Sequence, residues 1–173
     1  MEIKDIDKVS YKQNLNRLQG GVVVGLFVLA IPLSELFTSL WGNPEGGNTL
    51  LNLLAVATAV AIVALVFNLI KHQSWLADVR YTWKLKQELN RIYRSSKLME
   101  TALAANDRDA YVVQWFNLNA SRHLYRIEDN TLTVPELSAQ IRDLEAELEG
   151  KGWQISEREY SPELLDILKK RYK

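Results

Sequence analysis

Residues 48–70 read NTLLNLLAVATAVAIVALVFNLI, and no position among them carries a charge. The preceding apolar run, residues 20–41, reads GGVVVGLFVLAIPLSELFTSLW and carries one charge, Glu35. Crossing a hydrocarbon core of roughly 30 Å takes about 20 helical residues, so each run suffices for one span. A core helix of a soluble bundle keeps a polar face, whereas Leu50 to Ile70 offers only Asn52, Thr58 and Asn68. The first run lacks a small-x-small cleavage site before the loop, so a retained anchor is expected rather than a secretory signal. The chain therefore reads as all-α, a two-helix transmembrane hairpin followed by a small cytoplasmic helical bundle. Residues 1–19 form an N-terminal segment, 20–41 the first span and 42–48 a short outer loop. Residues 49–70 form the second span and 71–173 the helical domain.

Averaged over the chain, 24% of residues are charged and the net charge is zero, values that would suit a soluble protein. The average conceals a segregation, because charge is almost absent from Gly20 to Ile70 and dense afterwards. About a hundred residues follow the second span, enough for one small domain. Cysteine is absent, which excludes disulfides, thiolate zinc sites and a thiol nucleophile.

Basic residues set the expected orientation. Lys4, Lys8, Lys12 and Arg17 precede the first span, and Lys71, Arg80, Lys84 and Lys86 follow the second. The loop Gly42-Asn43-Pro44-Glu45-Gly46-Gly47-Asn48 has no basic residue, so both termini are expected on the cytoplasmic side. Trp41 and Trp75 stand where interfacial aromatic anchors belong.

So short a loop makes the spans antiparallel neighbours. Gly21 and Gly25 form a GxxxG on the first span, and Ala57 and Ala61 a small-xxx-small pair on the second. Packing within the hairpin and dimerisation both remain open. Pro32 is expected to kink the first span. Glu35, Thr38 and Ser39, spaced i, i+3, i+4, share a face near its outer half. An ionisable residue there raises the hypothesis of ion passage or a polar contact, though Glu35 lies close enough to Trp41 to reach toward the interface.

The domain pattern is helical throughout. A helix is expected from Ser74 to about Ala105, continuing the second span with little break. Leu85, Leu89, Ile92, Ser96, Met99 and Leu103 form a heptad-like seam on it. The seam packs within the chain or pairs with another chain. Asn106 and Asp107 offer a break and an N-cap for a second helix to about Asp129, antiparallel to the first. Thr133-Val134-Pro135-Glu136 reads as a capping box opening a third helix that Gly150 and Gly152 end. Ser161-Pro162-Glu163 starts a final helix, and Trp153 to Tyr160 is the one weak strand candidate.

Lys71 to Lys97 carries seven basic against two acidic side chains, and the remainder ten against fourteen. A basic stretch next to a membrane is attracted by anionic headgroups. Interleaved Tyr81, Trp83 and Tyr93 also permit a nucleic-acid reading, which the acidic remainder argues against. Lys84, Lys86, Asn90, Arg91, Arg94 and Arg122 are the polar candidates for contact with a partner or headgroup.

No HExxH, phosphate-binding glycine loop or GxSxG motif occurs. Ser121, His123 and Asp129 fall within nine residues of one predicted helix, where their directions diverge. No catalytic, metal or cofactor residue is assigned, and no enzymatic activity is expected.

Several stretches resemble an uncharacterised family of bacterial two-span inner-membrane proteins, catalogued as a domain of unknown function. They are Asn43-Pro44-Glu45-Gly46 with Leu51-Asn52-Leu53-Leu54, Leu85 to Arg94, and Ser121-Arg122-His123-Leu124-Tyr125 leading to Asp129-Asn130-Thr131. The resemblance reaches to about Leu148. It implies a Gram-negative inner membrane and the same hairpin-plus-helices layout, and it supplies no activity or ligand. The leading expectation is a non-enzymatic membrane protein whose helical domain binds another protein or its own copies. A small transport or channel-modulating subunit using Glu35, and an enzyme acting at the inner leaflet, are the alternatives.

Overall fold

Leu, Ala and Val fill the second apolar run so completely that a single continuous helix forms there. In the computed structural model, which describes residues 1–130, 132–156 and 158–173, α1 runs Lys8–Trp41 and α2 runs Thr49–Ile70. A 3-10 turn at Ser74–Leu76 precedes α3 (Ala77–Tyr93) and α4 (Ser96–Ala104). Helices α5 (Arg108–Ile127), α6 (Val134–Gly150) and α7 (Pro162–Arg171) complete the order, with no strand among the described residues. The weak strand candidate at 153–160 forms none where it is described, and its Glu157 lies outside the described residues. Thr131 of the resembling stretch does too.

The chain divides into two compact units, Val9–Arg80 and Met1–Lys8 together with Tyr81–Lys173. In the first, α1 begins at Lys8, well before its apolar run, and carries Pro32 inside it. Both helices are long and apolar enough to cross a membrane. Gly42 ends α1 where any Cβ would collide with the Thr38 carbonyl, so only glycine fits. Asn43 and Asn48 then clamp the reversal. The Asn43 N–H donates to Asn48 Oδ1 at 2.8 Å, and Asn48 Nδ2 to the Asn43 carbonyl at 3.1 Å. The small residues of α2 that pack inside the hairpin are Ala55 and Ala59, both fully buried. Ala57 and Ala61 are exposed instead, since the two pairs lie about 200° apart around a helix. Ser34 Oγ donates across the pair to Asn52 Oδ1 at 2.7 Å.

Continuity from α2 into the next helix does not occur. Gln73 is extended (φ −60°, ψ 146°), and the Arg80 guanidinium bonds the Lys71 carbonyl at the helix end and the Gln73 carbonyl beyond it. The expected long helix breaks again at Arg94–Ser95. There the Ser95 hydroxyl donates to the Arg91 carbonyl at 3.1 Å, competing with the helical ladder.

In the second unit α5 is the central element and packs on two sides. Ala110, Val113, Phe116 and Ala120 join Leu85 and Ile92 of α3, Met99 of α4 and Leu165 and Leu168 of α7 in one core. Tyr111 and Leu118 meet Ile141, Leu144 and Leu148 of α6 in another. The seam residues Leu85, Ile92 and Met99 are therefore buried within the chain. Asp107 caps α5 by accepting from the Asp109 N–H at 3.0 Å. The capping box at Thr133 does not form. Its side chain makes no cap bond (φ −94°, ψ −8°, near helical), and Pro135 in the first turn supplies the start signal.

The first eight residues belong to this unit, which the sequence reading assigned only to a segment before the span. Met1 and Ile3 pack against the α3–α5–α7 core. The Lys4 N–H donates to the Tyr81 hydroxyl at 2.8 Å, and that hydroxyl donates to the Glu2 carbonyl at 3.0 Å. The Met1 ammonium reaches the Tyr160 carbonyl at 2.7 Å, and Lys8 pairs with Asp129.

Candidate functional site

Helices α3 and α4 bend at Arg94–Ser95, and a groove of about 520 Å³ opens between them and α5. Leu89, Met99 and Leu103 give it an apolar floor, while Asn90, Gln114, Asn117 and Ser121 supply donors and acceptors. Gln114, Asn117 and Ser121 are spaced i, i+3, i+7, one stripe of α5, which in a sequence looks like a solvated face. An apolar floor with a few convergent polar groups is the usual make-up of a binding cleft.

Of the six contact candidates, Lys86 and Asn90 line this groove, and Lys86 also pairs with Glu128. Lys84 and Arg94 are exposed on the same helix and its end. Arg122 donates to Asn119 Oδ1 at 2.9 Å, a contact within α5. Arg91 is turned inward. It lies 3.7 Å from Glu88 and 3.3 Å from Asp166, and it donates to the Pro162 carbonyl, tying α3 to the start of α7. Pro162 and Asp166 lie more than seventy residues away, so α3 alone gave no sign of them.

Beside Arg91 the Tyr160 hydroxyl donates to buried Glu88, and its ring stacks on Phe116. Burial, reinforced by the neighbouring carboxylate, pushes the Tyr160 hydroxyl far above the ordinary tyrosine range. At the other end, Arg171 pairs with Asp107 and with Asp109 at 3.0 Å, and the Tyr172 hydroxyl donates to Asp107 at 3.0 Å. Partial burial raises the Asp107 carboxyl, but the bonds from Arg171, the Asp109 N–H and Tyr172 outweigh it and hold it below the usual range. These networks fasten the end of the chain to the start of α5.

Within the hairpin the polar candidates of α1 do not form one cluster. Thr38 donates back to the Ser34 and Glu35 carbonyls at 2.9 and 3.1 Å, and Ser39 to Leu36 at 2.9 Å. Pro32 and Glu35 are exposed, outside the α1–α2 contact made by Ser34. Asp129, past the end of α5, pairs with Lys8 and so stands apart from Ser121 and His123. Among the described residues no three histidine or acidic side chains gather as a metal site requires.

Comparison with curated proteins gives no match, and comparison with solved structures gives none. A family model described as "Protein of unknown function (DUF3087)" matches residues 1–165, further than the stretch to Leu148 that carried the resemblance. With both long apolar helices and the groove inside the matched stretch, the chain belongs to that family of unknown function, DUF3087.

Proposed function

We propose that this is a non-enzymatic protein of the bacterial inner membrane, with both termini cytoplasmic, whose helical domain binds an amphipathic segment of another protein or of a second copy. The groove between α3–α4 and α5 carries this reading, because its apolar floor flanked by amide side chains suits a helix laid along it. Burial of residues 1–8 with residues 81–173 in one folded unit supports placing both flanks of the hairpin on the same side. The basic flanks and a loop without any basic residue support that side being cytoplasmic.

The test combines the mass of the purified chain in mild detergent with photocrosslinking in cells from Asn117, and from exposed Lys170 as control. Self-association doubles the mass, and Leu89→Arg reverses it. A separate partner gives one crosslinked species from Asn117 and none from Lys170. A strictly monomeric chain that captures nothing from Asn117 overturns the reading.

A second reading has its own observation. Glu35 is exposed within the apolar run, and its carboxylate has no bonding partner among the described residues. That supports a polar contact with another span, as a small transport or channel-modulating subunit would make. Unchanged ion flux and unchanged complex size on Glu35→Gln would remove it.

A further inference from the structure

Helices α1 and α2 pack closely next to the connecting loop and leave space at their opposite ends. Ala55 and Ala59 are fully buried, and Ser34 bonds Asn52. Further along, a Cβ added at Gly25 would meet Val63 Cγ2 at 3.7 Å, ordinary contact. One turn beyond, at Gly21, it would meet nothing within 4 Å. Here an apolar crevice of about 380 Å³ opens, walled by Val63, Phe67 and Ile70 of α2 and backed by the two glycines. Arg17 and Trp75 line it where the apolar runs give way to polar sequence.

Helices in a bilayer are surrounded by hydrocarbon, and an apolar space between them is filled by an acyl chain or another helix. Two features select among occupants. Arg17 is exposed, and its guanidinium makes no ion pair or hydrogen bond among the described residues. A guanidinium at the hydrocarbon boundary suits a phosphate, to which it offers two parallel N–H donors. Trp75 adds an indole N–H at the same level. A second copy packed by two-fold symmetry would place this same patch, with Arg17, against itself, and like charges would oppose it.

We propose that this crevice holds one acyl chain of an anionic phospholipid whose phosphate sits on Arg17. The inference rests on the transmembrane placement of the hairpin and is independent of the groove in the helical domain. It gives Gly21 and Gly25 a role other than helix dimerisation, that of leaving depth for a lipid chain.

The test is native mass spectrometry of the full chain in detergent, offered phosphatidylglycerol and phosphatidylcholine in equal amounts. The expected result is one retained phosphatidylglycerol per chain, preferred roughly tenfold, because the choline cation of phosphatidylcholine offsets the phosphate charge that Arg17 meets. Arg17→Gln, at an exposed position that leaves packing intact, brings the preference near one. Gly21→Leu fills the crevice and reduces retention of both lipids. Equal retention of the two lipids by the parent chain overturns the proposal, as does undiminished retention by Gly21→Leu. A lipid-free dimer that Gly21→Leu dissociates overturns it too, in favour of a second copy. Release of the chain from membranes by alkaline carbonate would sink the transmembrane placement itself, whereas carbonate resistance without lipid preference removes the lipid site alone.

Discussion

The Tyr160 ring lies flat on Phe116, with centroids 3.7 Å apart and planes 5° from parallel, while its hydroxyl donates to Glu88. One side chain from the segment before α7 thereby joins α5 and α3 through two different forces. Tyr160→Phe keeps the ring and leaves the Glu88 carboxylate buried without its donor. The expected loss is about 1–3 kcal/mol, read from thermal unfolding of the detergent-solubilised chain. Tyr160→Leu should cost more, because the stacked area goes as well.

Tyr81 anchors the first residues of the chain through one hydroxyl. Tyr81→Phe removes the bonds to Glu2 and Lys4, a loss of about 1 kcal/mol. Hydrogen exchange should quicken at residues 2–6 and stay unchanged in α6, whose core Tyr81 does not touch.

Thr82 is 2% exposed, and its hydroxyl has no hydrogen-bond partner among the described residues. Thr82→Val replaces that hydroxyl with a methyl of similar size. Stabilisation by about 1 kcal/mol is expected, seen as a raised melting temperature. A lowered one would show that the hydroxyl has work to do.

The C-terminal fastening should be sensitive to acid. The Asp107 carboxyl is held below its ordinary value, so the folded state binds this proton less readily than the unfolded chain does. Its contribution is complete above the unfolded value near 3.8 and is lost as pH falls through the lower folded value. Glu159, lowered chiefly by the Ser156 N–H, adds a loss of the same sign. Exchange at residues 162–172 should therefore rise below about pH 4, and Asp107→Asn should abolish most of that pH dependence.

In the hairpin, Ala59 and Gly25 should respond differently to added bulk. Gly25→Ala meets only ordinary contact with Val63 and should be neutral. Ala59→Leu must force fully buried atoms apart and should cost roughly 1–3 kcal/mol. The proteolytic susceptibility of the 42–48 loop would report the separation.

Periodicity and length made the two apolar helices, the seam on α3–α4 and the starts of α5, α6 and α7 readable before any coordinates. Each is a local pattern of ten or more residues, or a cap beside one. Residues 1–8 gave no such pattern, since a short segment docked by Ile3 and by backbone bonds to Tyr81 has no period to detect. Arg91 looked like one more surface cation because its partners Pro162 and Asp166 lie far along the chain. The groove was half legible. Lys86 and Asn90 were named for their charge and polarity, but Gln114, Asn117 and Ser121 carry no signal apart from the bend that exposes them. The helix breaks at Arg94–Ser95, where the Ser95 hydroxyl bonds the Arg91 carbonyl, and a propensity argument does not register that break.

Because residues 1–8 dock onto Tyr81 and share a core with Tyr160, the domain is complete only after nearly all the chain has left the ribosome. At ordinary elongation rates that interval is roughly 10–30 s, during which both long apolar helices have emerged while the domain is still open. Residues 1–8 wait meanwhile without the core they pack against, open to chaperones or proteases. Closure of the domain then ties the stretch before the apolar hairpin to the stretch after it.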